Sequence, residues 1–259
     1  MSNGFLARSL VPTALSSPSG AASPTAITDL LNDMIGVQYV SAATGATDSI
    51  DVDFGSAVAI NTVALLQTNG AAGTWTLRGA TTQAGLAGAA DLFSGNIAAG
   101  SVTPESGRIH ALAVLASVAT FRWWRIAFAG LAAPIEIGRL VMAARFQPEV
   151  NFSFGGQIGV TDRAGGEFSR RGVWLPGDGV IQRTISLRWP WSTRDEAEQQ
   201  ISTLFERVGN RGHVLLCTDP DANSQRQRRL YFGPLQGNLG MVWNTGQRFE
   251  WRADLASVI

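Results

Sequence analysis

Between Ser49 and Ala143 apolar residues recur at every second position, stretch after stretch, and this period restricts the segment to β-structure. In SIDVDFGS, Ile50, Val52 and Phe54 alternate with Asp51 and Asp53, so one face is buried and the other is wetted. AINTVALLQTNG reads as a second strand ending at the turn pair Asn69-Gly70. In TWTLRGAT, Trp75 and Leu77 oppose Thr76 and Arg78. Residues 81–107 are rich in Ala, Gly and Ser and read as including long loops. FRWWRIAFAGLAAPIEIGRLVMA places Trp124, Ile126 and Phe128 on one face and Phe121, Trp123 and Arg125 on the other; the strand holding Ile137 closes the series. Such a succession implies an antiparallel sandwich.

The last third changes pattern. Pro148 and clustered glycines mark a boundary, and residues 151–179 read as a long connection that is functional or ordered by a partner. IQRTISLRW is a strand with Ile181, Ile185, Leu187 and Trp189 on one face. Thr193 and Glu196 stand at the spacing of a capping box. The helix they open runs to about Val208, with Ala197, Ile201, Leu204, Phe205 and Val208 on one stripe, and Gly209 stops it. HVLLCTDP, RRLYFGPL and QRFEWRADLAS read as three more strands, giving a sheet with one packed helix. The fold class is mainly β. The expected division is an N-terminal arm with first strands over 1–44, a sandwich over 45–146, and an α+β domain over 147–259.

Charge and chemistry exclude more than they suggest. Charged residues make up 15% of the chain, against about a quarter in an average domain. Formal net charge is zero, so no global field draws the chain to nucleic acid or an acidic membrane. No run of about 18 apolar residues is present to span a membrane. The first 24 residues have one cation, Arg8, and an apolar stretch broken by Pro12, and read as an extended arm or strand rather than a signal peptide. Cys217 has no second cysteine to pair with, and His110 and His213 lie far apart, so no disulfide, metal site or cofactor site is expected. No nucleophile elbow, P-loop or dinucleotide fingerprint occurs, and no catalytic residue is assigned. Asp51 and Asp53 read as a solvated strand face, and Asp219-Pro220-Asp221 as a turn. The cluster Arg226, Arg228 and Arg229 reads as a solvated loop or a protein interface. Trp123 with Arg122 and Arg125 is the candidate contact for a glycan or a partner. The candidate core residues are Trp75, Trp124, Ile126, Phe128, Ile137, Leu187, Trp189, Leu204 and Phe205.

The run IDVDFGSAVAINTVALLQTN, followed by TWTLRGA and FRWWRIAFAGLAAPIEIGRLVMA, resembles the galactose-binding-like (discoidin-type) jelly roll, in the version found in tailed-phage tail proteins. ISLRWPW, DEAEQQISTLFERVGN, HVLLCTDP and YFGPLQGN are similar, in that order, to the tail-tube and distal-tail module of the same proteins. The resemblance covers about residues 45–259; His213 stands where those proteins often have proline. It implies a jelly roll followed by a tail-tube-like domain in a structural virion protein, assembled in the host cytoplasm into the distal tail or tail tip. Its implied partners are further copies of itself in a ring (a hexamer, with a trimer as the alternative), the tail tube protein, and the baseplate hub with other tail-tip proteins. Arg170, Arg171 and Trp174 are the candidate ring contacts. The alternative function is a carbohydrate-binding module that holds host glycan through Trp123 and residues of the 81–107 loops.

Overall fold

The computed structural model describes residues 2–70, 72–98 and 107–259. Its strands in the N-terminal half are β1 (Phe5–Ala7), β2 (Ala14–Ser16), β3 (Tyr39–Val40), β4 (Asp48–Thr68), β5 (Thr74–Ala80), β6 (Asp91–Asn96), β7 (Ile109–Ala129), β8 (Glu136–Ile137) and β9 (Arg139–Ala143). The C-terminal half holds β10 (Gln157–Asp162), β11 (Gly166–Phe168), β12 (Trp174–Pro176), β13 (Ile181–Thr193), helix α1 (Ser202–Val208), β14 (His213–Cys217), β15 (Leu230–Pro234), β16 (Met241–Thr245) and β17 (Arg248–Ala256). The chain divides into two compact units: Met1–Gln147 with Leu215–Leu230, and Pro148–Val214 with Tyr231–Ile259.

Unit 1 is an antiparallel sandwich built on two 21-residue strands, β4 and β7. Its sheet runs β2-β4-β7-β5-β6, and β9 pairs with the far half of β4. The two strands expected over 49–69 are one bent strand. Gly55, at φ +74°, makes the bend, and its missing side chain leaves room for Thr13. The pairing of β4 with β7 slips between Asp53 and Val58, again between Ile60 and Thr62, and again after Leu65. These slips curl the pair, so that Ile50 and Val52 from one half and Val63 and Leu65 from the other enter a single core. Trp75, Trp124, Ile126, Phe128 and Ile137 are buried there, together with Tyr39 and Leu30 from the segment read as an arm. The arm is therefore integrated: β2 pairs β4, β3 pairs β8, and β1 pairs residues 215–217 of β14 (Phe5↔Cys217, Leu6↔Leu216, Ala7↔Leu215). Residues 81–98, read as including long loops, also hold β6, which pairs β5; residues 99–106 of that stretch lie outside the described residues.

Unit 2 carries a four-stranded antiparallel sheet in the order β10-β13-β17-β16. Residues 151–179 are not a plain loop. β10 pairs β13 from Gln157↔Ser186 to Asp162↔Ile181, and β11 and β12 make a hairpin of their own. The β-branched Ile158, Val160 and Thr161 favour that edge strand despite the neighbouring glycines. β16 was likewise not apparent from the sequence. Trp189 and Trp251 are cross-strand partners with rings stacked at 4.0 Å, and Phe205 of α1 meets Trp251 edge-on at 6.1 Å. Leu187 is buried beside them, whereas Leu204 is only half-buried. The capping box forms reciprocally. Glu196 N donates to Thr193 Oγ1 (3.2 Å), and Thr193 N donates to Glu196 Oε2 (2.9 Å). The first turns, Glu196–Ile201, are wound as a π-helix before α1 begins. Gly209, at φ +53°, ends α1.

Candidate functional site

The outer face of unit 1 is held by charge. β4, β7, β5 and β6 lie side by side, and Asp51, Arg125, Arg78 and Asp91 stand opposite one another across them. Arg125 grips Asp51 with Nε (2.6 Å) and Nη2 (2.8 Å), and Arg78 Nε donates to Asp91 at 2.5 Å. The row therefore reads acid, base, base, acid, with each central arginine neutralised by an outer carboxylate. One position along, Arg122 donates to both oxygens of Asp53, at 2.8 and 2.9 Å. That bond holds the Asp53 carboxyl below its ordinary value, and the bond to Asp51 raises Arg125.

This corrects the reading of Asp51 and Asp53 as a solvated face, since they are only 3% and 7% exposed. Their buried charge is tolerated because each is paired and hydrogen-bonded in a fork. The sequence did contain a signal: two acids two apart on one strand, and two arginines three apart on a later one. It lacked the register that joins them. Trp123 lies half-buried on this face, with the Arg122 guanidinium 5.5 Å from its ring centre. Phe121 does not share the face. The slip in register turns its ring inward over Gly79, edge-on to Trp124 at 5.7 Å. Of the proposed contact trio, Arg122 and Arg125 thus hold carboxylates, and the Trp123 ring is met by the Arg122 guanidinium.

Unit 2 presents a different surface. Among the described residues, five large apolar side chains are exposed in unit 1: Val11, Met34, Val37, Leu92 and Val118. The other fourteen lie in unit 2, the smaller of the two. They follow the sheet edges and the hairpin: Ile158 and Val160 on β10, Val242 and Trp243 on β16, and Phe168, Val173, Trp174 and Leu175 on β11–β12. Ile158 stands opposite the buried Ile185 on the core side of the sheet, yet is 72% exposed, because nothing in unit 2 covers that end. Arg170 and Arg171 lie exposed at the hairpin turn. Residues 170, 171 and 174 thus share one projecting element.

The remaining candidates have structural surroundings. Cys217 is buried, and burial pushes its thiol up to about 12, leaving it unreactive. Asp219 pairs with Arg229, and Asp221 accepts from Ser2 N (2.9 Å) and Ser2 Oγ (2.5 Å). Arg226 donates to Leu112 O at 3.1 Å, so Arg226 and Arg229 are internal ties of unit 1 rather than members of a solvated loop. His110 is buried, with Nδ1 accepting from Gln67 N, while the Gln227 side chain bonds both its backbone groups as a strand neighbour would. Among the described residues no group of three or more His, Cys, Asp or Glu side chains is placed to hold a metal, and no helix is long and apolar enough to cross a membrane.

No protein-family model matches the chain, and no curated protein matches it. Solved structures with some likeness include carbohydrate-binding modules. A family 32 CBM from C. perfringens NanJ in complex with galactose is 12% identical, with 51% of this chain and 93% of that chain covered and a TM-score of 0.41. CBM32-1 from a family 31 glycoside hydrolase from Clostridium perfringens is 13% identical, covering 52% and 96%, with a TM-score of 0.40. Chitosan-binding module 1 from a chitosanase/glucanase of Paenibacillus sp. IK-5 is 12% identical, covering 52% and 96%, with a TM-score of 0.41. Likeness at this level assigns the chain no ligand.

Proposed function

We propose that the protein is a non-catalytic assembly subunit in which unit 2 builds the assembly and unit 1 is the domain displayed on it. One observation carries this reading: the concentration of large exposed apolar side chains on the sheet edges and hairpin of unit 2. Bare apolar edges on a free chain are sites of association, and a chain that stays useful needs them covered. The order of motifs resembling tail-tube and distal-tail modules narrows the setting to the tail tip of a long-tailed phage, with copies closing into a hexameric or trimeric ring that meets the tail tube and the baseplate hub. The test is the mass of the full chain by native mass spectrometry and light scattering at micromolar concentration. A ring-sized oligomer is expected; a monomer throughout that range refutes the reading.

A second reading, adhesion to a host glycan, rests on Trp123, whose half-exposed ring lies on the outer sheet of unit 1. An aromatic face can stack on a sugar ring, but the neighbouring arginines already hold Asp51 and Asp53. A glycan array with the native chain and Trp123→Ala tests it. Binding lost in the variant supports adhesion, and no binding by the native chain removes it.

A further inference from the structure

We infer that the hairpin of one copy docks in the cleft beside helix α1 of another copy. The inference rests on the assembly reading above and names the contact that makes it. The hairpin is preformed. Phe168 and Trp174 are cross-strand partners with rings 4.9 Å apart, and the indole lies over Gly166, where any side chain would collide with it. The turn is closed by Ser169 N to Val173 O (2.8 Å) and Gly172 N to Ser169 O (2.9 Å), with Gly172 at φ +76°. Arg170 and Arg171 are thereby held at a tip whose flanks are aromatic and aliphatic. Tryptophan and arginine on a rigid element are the composition of an interface anchor.

The receiving site is chosen by charge. Three of the clefts in unit 2 offer a receiving site. One is lined by Arg188 and Arg252, which already hold Glu250 and Asp254 and offer an arginine tip no open carboxylate, and a second carries Arg163 beside Asp254, the carboxylate that Arg252 holds. The third, about 510 Å³, lies between α1 and the segment before β16; Phe205, Leu239 and Met241 supply its apolar wall, and Glu206 is its one charged lining residue. The volume falls within the range of about 300–1,000 Å³ that receives inserted groups. The hairpin does not fill the cleft of its own chain, since Phe168 and Trp174 remain exposed. The occupant is a second copy, and contacts of this head-to-tail kind give a ring where the rotation between copies closes and a filament where it does not.

The experiment uses the full chain and sedimentation equilibrium. Glu206→Arg and the pair Arg170→Glu/Arg171→Glu should each weaken self-association at least about tenfold, as reversal of a partly desolvated charge does. Combining all three substitutions should restore it to within about threefold. Thermal melts of each variant show whether it is folded. As a second measurement, copies carrying Arg171→Cys are mixed with copies carrying Asn238→Cys; Cys217 is buried and does not compete. A disulfide between copies is expected. If the native chain self-associates but neither reversal weakens it, or if no rescue and no cross-link appear, the docking is overturned and the assembly reading stands. If the native chain is monomeric, both fall.

Discussion

Unit 1 closes its apolar core, and unit 2 leaves part of its own open. Both are antiparallel sheets rich in tryptophan, and the difference lies in what covers them. In unit 1 the two long strands curl round one core, and the outer face is sealed by the paired charges Asp51–Arg125, Asp53–Arg122 and Arg78–Asp91. In unit 2 a single short helix covers the centre of the sheet, where Trp189, Trp251 and Phe205 meet, and leaves Ile158, Val160 and Ile181 bare at one end. A strand pair that bends supplies its own cover, whereas a sheet left bare at one end needs cover from elsewhere. Unit 1 therefore buries the apolar surface it brings together, whereas unit 2 leaves part of its own in water.

The largest effect that would break this comparison concerns the tryptophans. Trp124 is fully buried, and Trp124→Ala should destabilise unit 1 by about 3–5 kcal/mol. Trp243 is 70% exposed on an edge and keeps one edge-on ring contact, with Phe249 at 5.5 Å, so Trp243→Ala should cost the unassembled chain only about 1 kcal/mol. Denaturant melts of the two variants, at a concentration too low for association, decide the matter. Equal losses would mean that unit 2 buries its edge after all.

Next in size is the charge seal. Asp51→Ala leaves the Arg125 guanidinium without its carboxylate on the outer sheet. The loss should be about 2 kcal/mol, below the 3–5 of a fully buried pair, because the Arg125 side chain keeps 25% of its surface in water. If the same substitution proves neutral by denaturant melt, the outer face is solvated and the seal is decorative.

A smaller effect is the pH dependence of that seal. The folded-state pKa of Asp53 is depressed by Arg122, so its stabilisation is fully present above the unfolded value near 3.8 and is lost as pH falls through the folded value. Unit 1 should lose stability in acid below about pH 4, and Asp53→Asn should flatten that part of the profile while lowering the plateau at neutral pH. Melting temperatures of both proteins between pH 2 and 7 (a range set by the carboxylate values of about 4) measure it. An unchanged acid limb in the variant would place the loss on other carboxylates.

The residues themselves show why the sheets were legible in the sequence and the surfaces were not. Period two around Ile50, Trp75 and Trp124 declares a buried face wherever the strand pairs. The bend at Gly55 joins two expected strands into one, and nothing local distinguishes such a bend from a turn. The ion pairs were hidden because Asp51 and Arg125 lie 74 positions apart and meet only through register. β10 was masked by the glycines around it. The side chain of Gln227, which bonds the backbone of His110, left no local trace either, since any polar residue reads as surface until its partner is known. The capping box at Thr193 was readable because both its bonds are local.

The smallest expected effect bears most directly on the difference between the units. Ile158→Thr and Val160→Thr replace two edge side chains that are 72% and 66% exposed with β-branched residues of similar shape. Strand propensity is kept and little surface is uncovered, so the unassembled chain should shift by no more than about 0.5 kcal/mol. Each threonine still removes an apolar group from the bare end of the sheet, which lowers the drive to cover it. Self-association should weaken, and binding of a hydrophobic dye by the free chain should fall, while the melting temperature stays within about 2 °C. A loss of several kcal/mol in the double variant would show that these side chains already pack against something within their own chain, and the open end of unit 2 would no longer distinguish it from unit 1.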